Sequence, residues 1–218
     1  MTAMIESADP LIRWASRARD MRRWERPDAV VLACPGLSHW DRLVMSGEPD
    51  AVADLLRVAL AETAVTFRPF GTEELVEAVV ARLPELEVSA RFAWMETTTP
   101  VKTGQKAQMA AGQKAPTAAG QPAPEWLGEA DWPAVADLIK EAYPGSYAQP
   151  GDPDVQRWSG IRGHDGELLA VAAEAWSTPE IGFMSGVATR PSARGRGLGA
   201  AICAFTTNEM LASREQEQ

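Results

Sequence analysis

The first hundred residues alternate between apolar positions at helical spacing and short continuous apolar runs. Helical spacing recurs in three segments, which begin at Asp9-Pro10, at Asp50 and near Leu75. In each segment the large apolar side chains fall on one face of the predicted helix, which is typical of helices that pack on a core. The continuous runs predict strands at Ala29–Ala33, Leu43–Met45, Val65–Phe67 and Arg91–Met95. This order predicts a small α+β domain, in which we recognise no catalytic constellation.

The first predicted helix combines a start signal with a basic surface. Asp9 followed by Pro10 is the favoured order of an N-cap and a first helical position. One face carries the apolar residues Leu11, Trp14, Ala18 and Met21. The other face carries the arginines Arg13, Arg17, Arg19, Arg22 and Arg23. Basic amphipathic helices also lie on membranes, but we interpret this one as having a solvated outer face.

The segment Val101–Pro124 separates the chain into two halves. It contains the imperfect repeat "TGQKAQ", "AGQKAP" and "AGQPAP" and lacks large apolar anchors. Such a segment does not bury enough surface to offset its ordering entropy, so we expect a flexible linker. The predicted organisation is an N-terminal domain at 1–100, a linker at 101–124 and a C-terminal domain at 125–218.

The C-terminal half predicts the order β-α-loop-β-β-β-loop-helix. "EWLGEAD" predicts a short strand followed by a helix that Asp131 caps. Trp158–Arg162 and Leu168–Trp176 predict strands on either side of Asp165-Gly166, a strong hairpin signal. A third strand, Ile181–Thr189, precedes the last helix. That helix places three apolar residues on one face, namely Leu198, Ile202 and Phe205.

Charge and composition restrict the function classes. The net charge is −9, which argues against a general binder of nucleic acid or of anionic membranes. Two cysteines give no disulfide framework, and two distant histidines give no zinc site. The sequence has no signal-peptide run and no apolar stretch of membrane-spanning length. We therefore expect a cytoplasmic protein without a metal.

The stretch "VATRPSARGRGLGAA", Val187–Ala201, concentrates glycine and arginine before a helix. Glycines allow a ligand to approach the backbone N–H groups, and a helix start adds unpaired donors and a positive dipole end. The combination predicts an anion site suited to a pyrophosphate, with Arg190, Arg194 and Arg196 able to add charge. The alternative is a glycine-containing loop that connects strand and helix and binds no ligand. A Walker loop does not fit because lysine is absent, and a dinucleotide fold does not fit because Pro191 separates strand and glycines.

The same stretch resembles the coenzyme-A-binding signature of the GNAT superfamily of N-acetyltransferases. Pro191 matches the proline after the signature strand, and Arg194, Gly197 and Gly199 match the spaced Arg-x-x-Gly-x-Gly. The resemblance covers about Glu125 to Ser213. It implies an acetyl-CoA-dependent enzyme in which an amine attacks the thioester directly. The GNAT-like sheet would be mixed, with flanking helices.

The resemblance also implies a set of binding residues. Main-chain amides of the loop would hold the pyrophosphate, and backbone groups of the strand would pair with the pantetheine arm by β-augmentation. The implied pyrophosphate residues are Arg194, Gly195, Arg196, Gly197, Leu198 and Gly199. The implied pantetheine residues are Val187, Ala188 and Thr189. The partner would be a small-molecule or peptide amine.

The sequence departs from the family pattern at the catalytic positions. Ser185 and Gly186 stand where many members place a carboxylate. Glu174 is our candidate for the catalytic base. The alternative interpretation is that Glu174 and Glu180 are both surface charges at strand ends. Tyr143 and Tyr147 are candidates for an acceptor pocket, with aromatic packing as the alternative.

The C-terminus departs from the pattern as well. The family continues with further strands after the signature helix, whereas this sequence reaches "LASREQEQ". We expect an incomplete domain with an exposed strand edge that allows homo-oligomers. Two other interpretations stay open: a non-catalytic acyl-CoA-binding or regulatory module, and an N-terminal domain that recognises a protein or peptide.

Overall fold

The structure is a computed structural model that describes residues 9–102 and 123–215. The chain divides into two compact units, Met1–Met95 (unit 1) and Glu96–Gln218 (unit 2). The expected linker at 101–124 lies almost wholly outside the described residues, so the predicted domain boundaries stay a prediction. Among the described helices, none has the length and apolar character needed to cross a membrane.

Unit 1 is a four-stranded mixed sheet with helices, in strand order β1-β2-β3-β4. Its strands are β1 Arg22–Arg26, β2 Ala29–Cys34, β3 Arg42–Gly47 and β4 Arg68–Phe70. Its described α-helices are α1 Pro10–Ala15, α2 Pro49–Glu62 and α3 Glu73–Val80. The first three strands are antiparallel neighbours, and β4 is parallel to β3. Helix α2 makes the crossover between these two parallel strands. All six residues of β2 are buried in the core.

Helix α1 begins as predicted but ends early. Asp9 accepts hydrogen bonds at Oδ1 from the backbone N–H groups of Leu11 (2.9 Å) and Ile12 (3.4 Å), as an N-cap does. The helix ends at Ala15, so the face predicted to reach Ala18 and Met21 is wrong. Arg22 and Arg23, which were predicted on its basic face, lie in the edge strand β1, where charged side chains are well tolerated because an edge faces solvent.

Two further strand predictions in unit 1 are wrong. The strand expected at Val65–Phe67 lies three residues later, in β4, because Val65 is fully exposed in a turn that the N–H of Phe67 closes on the carbonyl oxygen of Ala64 (3.1 Å). Arg91–Met95 has no strand partner and is irregular. Its aromatic residues pack on rings instead, with Phe92 stacked on Phe70 at a centroid separation of 5.4 Å.

Unit 2 contains an antiparallel sheet in strand order β5-β6-β7-β8, and helices pack against it. Its elements are β5 Glu125–Trp126, α4 Trp132–Ala142, β6 Val155–Arg162, β7 Leu168–Ala175, β8 Met184–Thr189 and α5 Leu198–Glu215. The predicted hairpin joins β6 to β7, and Gly166 has the positive φ (+83°) that its turn requires. The α+β class is confirmed.

The core of unit 2 lies between the sheet and helix α5. Every residue of β7 is buried. Leu198 and Ile202 are buried as predicted, whereas Phe205 is half-buried and packs on Trp126. This packing fixes the start of α5 close to the end of β8.

Candidate functional site

The connection from β8 to α5 has the conformation of a glycine cradle. After Thr189, Pro191–Ala193 forms one turn of 3₁₀ helix, and α5 begins at Leu198. Gly195 and Gly197 have φ values of +75° and +78°, which glycine adopts at little cost. A Cβ built at either glycine would have no atom within 4 Å. The loop therefore borders open space, where a ligand can approach the backbone.

The start of α5 supplies hydrogen-bond donors to that space. The first helical bond runs from the N–H of Ala201 to the carbonyl oxygen of Gly197 at 3.0 Å. The N–H groups of Leu198, Gly199 and Ala200 therefore have no carbonyl acceptor within the helix. The positive end of the helix dipole lies at the same place. An anion is the ligand that these groups suit.

Arg190 and Arg194 both bind other parts of the protein. Arg190 pairs with Glu141 and with Glu167 (3.3 Å) and donates from Nε to the carbonyl oxygen of Leu168. Arg194 donates to the carbonyl oxygens of Thr189 (3.2 Å) and Ala142 (3.1 Å). These contacts hold the strand end and the C-terminus of α4 together. Arg196 is exposed.

Strand β8 presents one edge that is unpaired among the described residues. It pairs with β7 on one side and with no other described strand. The residues expected to pair with a pantetheine arm, Val187, Ala188 and Thr189, are the last three of this strand. They lead directly into the glycine cradle. The fold thus places the two sets of predicted binding residues end to end.

A β-bulge interrupts β8 at Gly186 and Val187, the first of those residues. Val171 pairs with Ala188 and Ala173 pairs with Ser185, so Gly186 and Val187 together oppose Ala172. A bulge of this kind re-aims backbone groups of the strand. Gly186 has a φ of +60°, and a Cβ there would lie 2.7 Å from the Trp158 ring and 3.2 Å from Ala148.

The contact of Gly186 with Ala148 places the loop after α4 against the bulge. Ala148 follows Tyr147 in this loop, and Tyr143 ends the preceding helix. The two tyrosines are 43% and 48% exposed, so neither is buried in a core. We did not predict this contact from the sequence, although a glycine within a strand pattern is a signal of close approach.

Glu174 is buried and held by two arginines. It is 5% exposed, so the surface-charge interpretation is wrong. Its Oε2 accepts from Nε of Arg157 at 2.7 Å, and its Oε1 accepts from Nη2 of Arg214 at 2.9 Å. Burial acts to raise the pKa of Glu174, but hydrogen bonds and charges from Arg214 and Arg157 outweigh burial and lower it. A carboxylate stabilised in this way is a poor base. Glu180, by contrast, is exposed.

Comparison with solved structures defines the class of the fold. A GCN5-related N-acetyltransferase from Kribbella flavida matches with a TM-score of 0.52 and 18% sequence identity. The match covers 91% of this chain and 77% of that one. The chain therefore has the fold of the GNAT superfamily N-acetyltransferases, as its resemblance to the coenzyme A signature predicted.

Two other structures match less well in TM-score. A protein from Novosphingobium aromaticivorans, assigned to the GNAT family of acetyltransferases, is 33% identical over 44% of this chain, with a TM-score of 0.37. The chain covers 42% of that protein's length. A Drosophila protein is 16% identical, with a TM-score of 0.43, and the match covers 88% of this chain and 66% of that protein's chain. No protein-family model and no curated protein sequence matches this chain.

Proposed function

We propose that this protein binds acetyl-CoA and transfers the acetyl group to an amine. The observation that carries the proposal is the open glycine cradle at the start of α5, which directly follows the unpaired edge of β8. The GNAT-type fold supports an acyltransferase in general.

The cradle fits the diphosphate of coenzyme A. Backbone N–H groups from Gly195 to Gly199 would donate to its oxygens, and the start of α5 adds its dipole. The N–H of Arg194, which the sequence also predicted as a donor, instead donates to the carbonyl oxygen of Pro191 at 3.4 Å. The open space beside Gly195 and Gly197 is where a side chain on any other residue would stand. Glycine at these two positions therefore suits a ligand that contacts the main chain.

The edge of β8 fits the pantetheine arm. This arm contains two amide groups, which pair with an unpaired strand edge as a further strand would. Val187, Ala188 and Thr189 supply the backbone donors and acceptors. When bound, acetyl-CoA supplies an acetyl group activated as a thioester.

The protein's own contribution is to orient the two reactants. The bulge at Gly186 and Val187 re-aims backbone groups at the start of the pantetheine positions. The tyrosines beside the bulge, Tyr143 and Tyr147, are our candidates for the wall of the acceptor pocket. A substrate amine must lose a proton before or during attack. Glu174 is held by two arginines, so we do not assign it this role.

A second candidate function is an acyl-CoA-binding module without catalysis. One observation favours it: Glu174, our candidate base, is engaged in structural ion pairs. Both functions require the cradle, so ligand binding alone does not distinguish them.

The test combines calorimetry with a free-thiol assay on the full chain. We expect acetyl-CoA to bind and pantetheine, which lacks the diphosphate, to bind much more weakly. Thiol release that depends on an added amine supports the enzyme, whereas binding without thiol release supports the module. Equal binding of acetyl-CoA and pantetheine, or no binding of either, contradicts both functions.

A further inference from the structure

Unit 1 contains a cavity of about 670 Å³ that the proposed function does not use. Its volume lies within the range of about 300–1,000 Å³ that is usual for small-molecule sites. The lining residues come from four places: the start of α1, the ends of β3 and β4, the start of α3, and the segment 88–94. All of them belong to unit 1.

The cavity lies where parallel strands commonly bind ligands. Strands β3 and β4 are parallel neighbours, and the cavity is lined by residues at the carboxyl end of each. Ser46 and Gly47 mark the end of β3, and Phe70 and Gly71 mark that of β4. In open sheets with parallel strands, ligands bind in the crevice outside the carboxyl ends of the strands.

Most of the lining is apolar and partly aromatic. Phe70, Phe92 and Trp94 contribute rings, and Val76 and Val88 contribute aliphatic groups. Phe92 is 64% exposed although it stacks on Phe70. An exposed aromatic at the border of an apolar cavity gains from a ligand that covers it.

The charged residues of the lining are mostly acidic. They are the carboxylates of Asp9, Glu73 and Glu77 and the guanidinium of Arg91. Arg91 donates from Nε to Oε1 of Glu73 (2.6 Å) and from Nη2 to Oε1 of Glu77 (2.8 Å). Asp9 uses Oδ1 to cap α1. The three carboxylates outnumber the one guanidinium, so the lining has a net negative charge. This charge is larger than the partial positive charge at the start of α3.

We propose that this cavity binds a hydrophobic amine. The aromatic or aliphatic body of the ligand fills the apolar cavity, and its ammonium group lies against the carboxylates of Glu73 and Glu77. Those two side chains are 58% and 54% exposed, so an ammonium group reaches them without first displacing a buried group. The inference does not depend on the coenzyme A proposal, because it uses residues of unit 1 alone.

The test compares two probes of similar size and opposite charge on the full chain. Phenylethylamine carries an ammonium group, and 3-phenylpropionate carries a carboxylate on a similar body. Titration followed by tryptophan emission should report binding, because Trp94 lines the cavity. We expect the amine to bind at least about tenfold more tightly, as one charge-assisted hydrogen bond allows. Equal affinities, a preference for the acid, or no binding of the amine overturns the proposal.

Two variants locate the binding. Val76→Trp should fill the cavity and abolish amine binding, whereas its control, Val58→Trp on the exposed side of α2, should bind normally. The double variant Glu73→Gln, Glu77→Gln should remove the preference for the amine, and Glu62→Gln, whose partner is Arg22, should keep it. Unfolding curves check that each variant folds. Unchanged amine binding in folded Val76→Trp places the ligand elsewhere and overturns the proposal.

Discussion

Arg214 donates a hydrogen bond from Nη2 to Oε1 of Glu174 over 2.9 Å, and this bond joins the last turn of α5 to strand β7. Arg157 on β6 binds the second oxygen of the same carboxylate at 2.7 Å. Glu174 therefore connects two strands and the helix whose first turn forms the cradle. This is a stabilising role, and it accounts for a carboxylate within an otherwise apolar strand.

Replacing Glu174 should destabilise the protein in a pH-dependent way. Glu174→Gln leaves two arginines without their counter-charge, and we expect a loss of about 3 kcal/mol at neutral pH. The pKa of Glu174 is lowered in the folded state. Its stabilisation is therefore complete above the ordinary carboxyl pKa and is lost as the pH falls through the folded-state pKa. Urea unfolding at neutral and acidic pH measures both effects.

A suitable control is Glu125→Gln in the same unit. Glu125 pairs with Arg162 at 3.0 Å, and its side chain is 57% exposed. We expect a loss below about 1 kcal/mol, as is usual for exposed ion pairs. Equal losses for the two variants, or a Glu174→Gln deficit that persists at acidic pH, would show that Glu174 does not have this role.

Gly186→Ala should lower the free energy of unfolding by more than backbone strain alone would. Gly186 and Gly166 both have positive φ, but a Cβ at Gly186 lies 2.7 Å from Trp158, whereas one at Gly166 meets nothing within 4 Å. Gly166→Ala should cost about 1 kcal/mol from strain. Gly186→Ala should cost about 2 kcal/mol more from overpacking. Urea unfolding measures the difference, and equal costs would rule out the close approach to Trp158.

Ser159 and Thr206 should be energetically coupled. Their hydroxyl oxygens are 2.6 Å apart and both residues are fully buried, which joins β6 to α5. We expect a double-mutant cycle of Ser159→Ala and Thr206→Val to give a coupling free energy of about 1 kcal/mol. Urea unfolding of the four proteins measures it. Additive losses would indicate that the two hydroxyls do not interact.

The cysteines should be poorly reactive in the folded protein. Burial raises the pKa of Cys34 to about 12 and also raises the pKa of Cys203. Little thiolate exists at neutral pH, so we expect slow reaction of half-buried Cys203 and none of Cys34 until unfolding. Ellman's reagent should count two thiols only after denaturation. Rapid reaction of both thiols in the folded state would be inconsistent with this burial.

Local signals predicted much of unit 2. The Asp165-Gly166 turn and the helical spacing from Leu198 act over a few residues, so the sequence shows them directly. The edge strand Arg22–Arg26 gave no such signal, because its charged residues also fit the basic face of a helix. Only Trp24 of that strand packs on the core.

The environment of Glu174 could not be predicted in the same way. Its partners Arg157 and Arg214 lie 17 and 40 residues away in the chain. Their convergence depends on strand pairing and on the packing of α5, which no local pattern encodes. The cradle, by contrast, was predictable because its glycines, its proline and its helix are consecutive in the sequence.

Calorimetric titration of coenzyme A into Gly197→Asp, Gly166→Asp and the wild-type chain tests the central claim most directly. Both glycines have positive φ and border open space, so the two variants share the same backbone strain. We predict that Gly166→Asp binds as the wild type does. Gly197→Asp should bind at least about a hundredfold more weakly, because it places a negative charge beside the diphosphate. Equal affinity of folded Gly197→Asp and wild type, or no binding to the wild type, would contradict the account.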